Sequence, residues 1–580
     1  MKIESLPTAA TIPSTEGLDT KHENFQDQSD AFHGLANREH PKQAGVKRME
    51  GLEAAWSKKT LMVMFLLLYM VSFVDMLMLH TQGPLMPYVT SAFGSHSLLA
   101  TTTILSTILS GVAELTLAKI IDIFGRLEGF TMMTLCWIIG VIMKAACQNV
   151  ETYAAGQCFY FVGHFGVQYV INIMVADMTS LRNRMIVWGL QASPIIITAF
   201  AGPRIAELFY THVNFRWAFG AFVIIFSFFG SLFIIAFYTI QRHAEKIAGS
   251  DPEKAETRTM WESGKYYVVQ FDVIGLFLTT AGGSLLLLAT NLAASAPHGW
   301  GTGYIIAMIV LGIASCAAVV LWERFFAPIP YLPFEILKDR TIWTASLLYG
   351  VAYASIFCWD TYYSSFVQVV FGLDITEAGY VQQSVAVLTA FAGPFVGFWI
   401  RYTGNFKYLA LAGFPFFSMG TPLLLHFRHA DSGIGYNVMC LVFIGIATGI
   451  WTITSQIAVM ASISHQQVAV GIAIAQMFRA IGASLGMGIA GAIWTNSLPR
   501  SLSEHLPQES KHLAGRIFSS IRIQLSYPMG SPIRTAIIAS YSEVQRKLVI
   551  ASSAFLPFAI VSLLLWRNID IREAEARTRP

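Results

Sequence analysis

The chain has 580 residues, of which 54% are hydrophobic and 13% are charged, and its formal net charge is +3. Because a soluble protein carries roughly 25% charged residues, this composition excludes a soluble globular protein. The small net charge gives no reason to expect nucleic acid as a partner. The apolar residues gather in blocks, which favours an integral membrane protein.

The first 58 residues are polar and rich in Ser, Thr, Asp, Glu and Lys. They contain neither an apolar core segment nor a cleavable signal pattern, so the first membrane helix would serve as the targeting signal. We expect residues 1–58 to form a disordered tail on the cytoplasmic side of the membrane.

Apolar blocks of about 20 residues, long enough to cross a bilayer core, follow this tail. There are 14 of them, which predicts an all-α membrane protein with 14 transmembrane helices. Blocks 1 to 14 are residues 60–83, 98–118, 129–147, 153–176, 185–209, 216–240, 269–290, 302–323, 343–367, 379–400, 407–427, 437–461, 469–496 and 547–566.

The distribution of Lys and Arg between the loops predicts the orientation. With the N-terminus inside, and the long loop before block 14 left out, 14 of these residues lie in inside loops. The short outside loops hold only Arg216 and Arg428. We therefore expect cytoplasmic positions for the loop 241–268 and for the C-terminal tail 567–580.

Two short links between blocks share one pattern. LAKIIDIFGRLE (117–128) joins blocks 2 and 3, and GFWIRYTGNFK (397–407) joins blocks 10 and 11. Both are basic and centred on glycine, at matching places in two sets of six blocks, which indicates an internal duplication. The predicted halves are residues 59–240 and 343–566, and residues 269–323 are an inserted helix pair.

The charges in these links suit a gate. Ion pairs and helix-end dipoles on the inner side would lock one half against the other, and a rocking carrier would break and remake them. The alternative is that the charges only anchor helix ends at the membrane surface. The candidate gating residues are Lys119, Asp122, Gly125, Arg126, Arg401, Gly404 and Lys407.

Ionisable side chains inside membrane helices are costly, so they are functional candidates. Asp75, Glu114 and Asp360 lie deep in blocks 1, 2 and 9. Because an apolar environment lets a carboxyl group exchange protons near the working pH, we expect these residues to couple protons to transport. The alternatives are a structural ion pair of Asp75 or Glu114 with Arg479 or Lys144, and a substrate contact at Asp360.

Further side chains are candidates for binding a bulky substrate of mixed polarity. Arg479 in block 13 either pairs with a carboxylate or meets an anionic group of the substrate. His164 in block 4 is either a substrate contact or a hydrogen-bonded interior histidine. The aromatic candidates near the expected cavity mouth, which alternatively face lipid, are Tyr69, Trp359, Tyr362, Tyr363 and Phe366.

The sequence contains neither HExxH nor a Walker loop, and its GxSxG match, GASLG (482–486), lies within an apolar block and not at the strand-to-helix turn that a nucleophilic serine requires. GMGIAG (486–491) fits GxGxxG, but it lies within an apolar block, where Gly482, Gly486 and Ala490 predict close helix packing instead. No His, Cys and carboxylate cluster has the spacing of metal ligands. We expect neither an enzyme nor a protein-bound metal or other cofactor.

The outside loop 497–546 is long for a transporter. LAGRIFSSIRIQL has apolar residues near helical spacing, and PIRTAIIASYSEVQRKL opens with a proline that suits a first helical turn. We expect two short helices that cap the outer mouth and either gate it or recruit the substrate. The alternative is a pair of helices lying on the membrane surface.

The link 117–128 resembles the loop motif of the major facilitator superfamily. From about residue 45 to residue 566 the chain resembles the fungal siderophore–iron transporter branch of that superfamily. The stretches that carry the likeness are GVKRMEGLEAAWS (45–57), PYVTSAFGSHSLLATTTIL (87–105), AKIIDIFGR (118–126), VADMTSLRNR (175–184), FAGPRIAE (200–207), DTYYSSFVQVVFGLDITEAGY (360–380), ASISHQQVAVGIA (461–473) and GAIWTNSLPRSLSEHLP (491–507).

This resemblance implies 14 helices around a central cavity and proton-driven import of ferric hydroxamate siderophores, with the iron carried inside the chelate. We expect a lipid-embedded monomer of the plasma membrane, or alternatively of an endosomal or vacuolar membrane. One departure is in block 4, where the superfamily's usual arginine is absent and Gln157 and His164 are the polar groups. Proton-transfer roles from drug exporters therefore do not carry over to that helix.

The expected function is thus a proton symporter for ferric hydroxamates. Alternatives within transport are a 14-helix proton antiporter that exports drugs or exchanges glutathione, and a haem importer. A non-transporting nutrient sensor is the alternative from another class. A sensor usually carries a long signalling extension, whereas the expected C-terminal tail has only about 14 residues.

Overall fold

The structure is a computed structural model, and it describes only part of the chain. Almost all of the predicted N-terminal tail and most of the predicted loop 241–268 and C-terminal tail lie outside the described residues. The described residues are 57–92, 99–179, 181–248, 272–293, 296–328, 338–463 and 468–572, with a few single positions between 261 and 269.

The N-terminal half and the inserted pair form nine helices within the described residues. These are α1 (Lys58–Ala92), α2 (Leu99–Ile123), α3 (Arg126–Ala146), α4 (Val150–Asp177), α5 (Leu181–Ala192), α6 (Pro194–His212), α7 (Phe215–Ala248), α8 (Val273–Leu292) and α9 (Gly303–Phe325).

The C-terminal half adds ten helices within the described residues. These are α10 (Arg340–Asp360), α11 (Tyr363–Phe371), α12 (Ile375–Thr403), α13 (Lys407–Phe427), α14 (Ile434–Ala461), α15 (Val468–His505), α16 (Ala514–Ser519), α17 (Ile521–Ser526), α18 (Pro532–Ser553) and α19 (Leu556–Leu564).

Thirteen spans in the described residues are long and apolar enough to cross a membrane, counting helices that continue each other across a short break as one span. The remaining predicted block is α8, whose apolar part, Val273–Leu286, is shorter. The helix as a whole is 20 residues long, and the prediction of an all-α membrane protein with 14 transmembrane helices is confirmed.

Three predicted blocks are each two successive helices. α6 starts at Pro194, directly after Ser193, because proline has no N–H to continue the hydrogen-bond ladder of α5. α10 and α11 are separated by Thr361 and Tyr362, and Pro557 lies in the first turn of α19. Apolar residues run through all three breaks, so hydropathy alone does not reveal them.

Close packing of α15 on α10 confirms the prediction for the small-residue face of GMGIAG. A Cβ atom added at Gly482 would lie 1.9 Å from the carbonyl oxygen of Gly350. One added at Gly486 would lie 2.3 Å from the carbonyl oxygen of Ala354. Only glycine permits this approach of the two backbones.

Three pairs of helices form the main contacts between the two halves among the described residues. α2 packs against α15, and α12 packs against α5 and α6. Close packing of α2 and α15 is possible because Gly111 faces Ala480, whose Cβ atom would lie 2.3 Å from a Cβ atom at Gly111. The inserted helix α8 packs against both α2 and α15. We call the ends of the bundle inner and outer after the predicted orientation.

The predicted outer loop 497–546 is shorter in the structure. α15 continues to His505, and the segment predicted as a second capping helix is the beginning of α18. Ser531 caps α18, because its hydroxyl accepts the backbone N–H of Arg534 at 3.2 Å, and Pro532 opens the first turn. The separate short helices at the outer end are α16 and α17.

Candidate functional site

One ion pair joins the two halves within the membrane. Glu114 on α2 places Oε1 3.8 Å from Nη2 of Arg479 on α15, and both side chains are buried. Nε of Arg479 donates to Gln476 at 2.7 Å, and its guanidinium lies 4.5 Å from the centre of the Phe165 ring. Oε2 of Glu114 has no hydrogen-bond partner among the described residues. The sequence offered this pairing as one alternative for both residues.

Asp75 lies at the centre of a second polar cluster, inside the N-terminal half. Its carboxylate accepts hydrogen bonds from Trp137 Nε1 at 2.8 Å and from Gln168 Nε2 at 2.7 Å. His164 Nδ1 lies 2.9 Å from both carboxylate oxygens. The histidine is thus hydrogen-bonded in the interior, and the partner of Asp75 is His164, whereas the sequence suggested Arg479 or Lys144.

Lys144 pairs with amides in the described structure. Its Nζ donates to Oε1 of Gln157 at 2.6 Å and to Oε1 of Gln82. The ammonium lies 4.6 Å from the centre of the Tyr160 ring and 4.7 Å from that of Phe219. A buried lysine is therefore held near the outer end of α3 by amide oxygens and aromatic faces.

Asp360 and the aromatic candidates gather at the break between α10 and α11. Asp360 ends α10, and Gln382 Nε2 donates to it at 3.4 Å. Tyr362 stacks on Trp494 with 4.0 Å between ring centres. Trp359, Tyr363 and Phe366 surround the guanidinium of Arg428.

All four of these aromatic side chains are at most 1% exposed, so they lie inside the C-terminal half in this conformation. Tyr69, the fifth aromatic candidate, is partly buried and shares a hydrogen bond of 3.1 Å with the Ser193 hydroxyl, at the break between α5 and α6. Contact of these five residues with a substrate stays a prediction.

The outer end is closed by contacts between the halves. Tyr88 on α1 donates a hydrogen bond to Oε1 of Gln368 on α11. Thr376 on α12 donates to the carboxylate of Glu207 on α6. A Cβ atom added at Gly379 would lie 2.5 Å from the side chain of Pro203, so α12 and α6 touch here.

The short helix α17 adds a further bridge at the outer end. The Ile521 N–H donates to the Ser91 hydroxyl of α1 at 3.4 Å, and the guanidinium of Arg522 lies 5.4 Å from the Tyr210 ring centre. Arg534 ties α17 to the C-terminal half, because it donates to the Gln524 carbonyl. The segment before the last membrane span therefore contacts both halves, as a cap at the mouth would.

The first inner link contacts its own half and the inserted pair. Gly125 has φ 124°, which favours glycine, and precedes α3. Arg126 donates to Asp177 at the end of α4 at 2.9 Å, and to the Ile121 carbonyl at 2.9 Å. The side chain of Asp122 lies outside the described residues. Asp272 and Glu323, from the inserted pair, interact electrostatically with Lys119.

The second inner link is held by the segment after α19. Gly404 has φ 75°, and its carbonyl accepts the Ile571 N–H at 3.0 Å. Lys407 Nζ donates to the carbonyls of Trp566 at 2.5 Å and Leu564 at 3.2 Å. The side chain of Arg401 is exposed. A locking role of either link between the halves stays a prediction.

Sequence reasoning missed several side chains of these clusters. Trp137 and Gln168 were not selected, since a tryptophan or an uncharged amide inside an apolar block usually reads as packing. Arg428 was counted in an outside loop, yet it is only 2% exposed. Its nearness to the aromatic run 359–366 is not visible in the sequence.

Comparison with known proteins places these features in a family. The profile of the Major Facilitator Superfamily matches residues 65–332 and 323–487. The chain is 46% identical to "MFS siderochrome iron transporter 1" of Ajellomyces capsulatus, over 92% of each chain. It is 38% identical to "Siderophore iron transporter mirB" of Emericella nidulans, over 91% of this chain and 88% of that protein.

Solved structures agree on the fold. The crystal structure of the peptide transporter POT in complex with sulfate superposes with a TM-score of 0.54 at 14% identity, covering 87% of this chain and 95% of that one. A bacterial homologue of the human lysosomal transporter Spinster superposes with a TM-score of 0.50 at 13% identity, covering 90% and 98%. At these identities the likeness concerns the fold alone.

Proposed function

The chain belongs to the major facilitator superfamily and, within it, to the fungal siderochrome iron transporters, and we propose that it imports ferric hydroxamate siderophores together with protons by alternating access. The names of its relatives support the siderophore as cargo. Members of this family are transporters and not enzymes. The observation that carries the proposed coupling is the buried pair of Glu114 and Arg479 across the two halves.

The pair lies where a proton would change the contact between the halves. Glu114 is nine residues before the end of α2 and Arg479 is eleven residues after the start of α15, so both lie slightly to the inner side of the membrane centre. A proton on Glu114 removes its charge and with it the attraction that holds α2 to α15. Loss of that attraction favours separation of the halves at the inner end.

Arg479 is then free to serve the substrate. Its guanidinium, no longer paired with Glu114, would donate hydrogen bonds to the hydroxamate oxygens around the iron. Phe165 and Tyr353 flank it with rings 4.5 and 5.5 Å away and provide apolar walls for a bulky chelate. Asp75 and Asp360 are the further candidates for proton coupling, and His164 would act together with Asp75.

The membrane potential supplies enough energy for this cycle. One charge moving inward across 100 mV releases about 2.3 kcal/mol, which concentrates a neutral solute on the order of 50-fold. Each unit of pH difference adds about 1.4 kcal/mol per proton. We place the carrier in the plasma membrane as a monomer, with both termini in the cytoplasm and with an endosomal or vacuolar membrane as the alternative.

The test is uptake in a fungal strain that lacks its own siderophore carriers. The full chain is expressed, its surface level is measured, and radioactive ferric hydroxamates are offered at two external pH values with and without a protonophore. We expect uptake of at least one chelate, faster at low pH and abolished by the protonophore. No uptake by protein that is at the surface would refute import and favour an exchanger or an exporter.

A further inference from the structure

Arg428 is a buried cation that the function described so far does not use. It follows the last residue of α13, at the outer end of the C-terminal half. Its guanidinium carbon lies 4.4 Å from the ring centre of Tyr363, 4.8 Å from Trp359 and 5.6 Å from Phe366. Nη1 donates to Oε1 of Gln545 on α18 at 3.0 Å. We call the three rings the aromatic box.

The aromatic box and one amide leave the guanidinium incompletely satisfied. Its Nε and Nη2 atoms have no hydrogen-bond partner among the described residues. Arginine stays charged at any working pH. Because a buried charge without a counter-charge is destabilising, a negative charge nearby would stabilise it.

Asp360 is the carboxylate whose neighbours in the chain contact this charge, since Trp359 precedes it, Tyr363 follows it by three residues, and both rings lie against the guanidinium. It belongs to the same helix break as the aromatic box, next to Trp359, and it interacts electrostatically with Arg428. The other polar or titratable groups around the pair are Gln382 from α12, Tyr363 from α11 and Cys440 from α14. None of these three carries a positive charge, so Arg428 is the cation acting on Asp360 among the described residues.

We infer that Arg428 is a positioning residue for Asp360, which holds this carboxylate in its charged form until a proton of the transport cycle neutralises it. The aromatic box fixes the guanidinium, and three of the side chains predicted as substrate contacts would thereby serve the coupling site. The inference rests on the proposed role of Asp360 in proton coupling.

The N-terminal half offers a matched control. Lys144 lies at the outer end of α3, the third membrane helix of its half, as Arg428 follows the third membrane helix of the other half. It too is held by glutamine amides and aromatic rings. Its titratable neighbours among the described residues are Cys147, Tyr153 and Tyr160, and none of them is a carboxylate. Removing Lys144 removes a buried cation without removing the partner of an acid.

The experiment compares Arg428→Gln, Arg428→Lys and Lys144→Gln in full-length protein. Uptake of a radioactive ferric trihydroxamate is measured over a series of external pH values and normalised to surface protein. We expect Arg428→Gln to move the midpoint of the uptake profile to higher pH by about one unit, since Asp360 loses its attracting charge. Arg428→Lys keeps the positive charge, so its midpoint should stay close to that of the unmodified protein. Lys144→Gln should leave the midpoint unchanged.

An unchanged midpoint in Arg428→Gln, while Asp360→Asn abolishes the pH dependence, overturns the inference. If Asp360→Asn keeps full pH-dependent uptake, it is instead the coupling role of Asp360 that fails. If Arg428→Gln does not reach the membrane, the surface level of the double variant Arg428→Gln with Asp360→Asn tests the inference instead. Surface delivery of the double variant supports the charge partnership, because both charges are gone, and its retention inside the cell overturns it.

Discussion

Replacing Glu114 by glutamine tests whether a proton at this position opens the inner side. Two unit charges 3.8 Å apart attract by about 4 kcal/mol at an effective dielectric constant of about 20. Desolvation of the buried carboxylate offsets part of this attraction. Since 1.4 kcal/mol is a factor of ten, the equilibrium between the conformations should shift by a factor between about ten and a thousand.

Glu114→Gln imitates the protonated carboxyl group permanently, so it separates movement of the carrier from coupling. We expect the variant to exchange labelled for unlabelled ferric chelate in a counterflow assay, because this exchange needs no proton. Accumulation against a gradient and its dependence on pH should be lost. Both quantities are measured per surface protein in the carrier-deficient strain.

A surface pair on α15, the helix of Arg479, provides the control for Glu114→Gln. Arg500 and Glu504 of α15 form an exposed ion pair at 2.9 Å, and such pairs contribute only about 0–1 kcal/mol. Glu504→Gln should therefore leave both counterflow and accumulation unchanged. Full pH-dependent accumulation by Glu114→Gln would refute the coupling role of Glu114 and the reasoning from the pair.

Two further changes test the described packing. Asp75→Asn places an NH₂ group among three donors, of which Gln168 Nε2 is at 2.7 Å. We expect the free energy of unfolding of the purified protein to fall by about 2–3 kcal/mol, and pH-dependent accumulation to decrease. An unchanged melting temperature would contradict the described geometry. Gly482→Ala forces a Cβ atom to 1.9 Å from the Gly350 carbonyl oxygen and should lower surface level and melting temperature. Gly435→Ala, with nothing within 4 Å of its added Cβ, is its control.

The helices were predictable because the bilayer sets their length, whereas their ends were not. The predicted block 60–83 belongs to a helix that continues to Ala92, through Pro84 and Pro87. Prolines inside membrane helices are tolerated where neighbouring groups satisfy the freed backbone. The block 469–496 likewise belongs to a helix that continues to His505, past the point where polar residues begin.

The sequence predicts which site residues lie inside the membrane, but it does not predict which side chains face each other. Hydropathy shows that Asp75, Glu114 and Arg479 lie inside membrane helices, and their cost there marks them as candidates. Which of them meet depends on the rotation of each helix about its axis, which a one-dimensional pattern does not fix. For that reason the pairing of Glu114 with Arg479 stood beside other pairings, and His164 was not assigned to Asp75.

Arg428 shows where the reasoning from charge breaks down. Counting Lys and Arg between blocks treats every such residue as a surface residue, and this gives the overall orientation because most of them are. A single arginine at a helix end has another possibility, since aromatic faces and an amide can receive its guanidinium in the interior. The aromatic run 359–366 was predicted to bind substrate because aromatic faces attract polar and charged groups, and in the structure these faces receive the guanidinium of Arg428.

The closed outer end and the Glu114–Arg479 pair together suggest an order of events for the proposed cycle. Tyr88 and Gln368 already join the halves at the outer end, while the ion pair still joins them toward the inner side. In the proposed cycle the inner side would then stay joined until Glu114 loses its charge. The carrier would release its substrate inward only after Glu114 has taken up a proton, and this condition would prevent transport of the chelate without a proton.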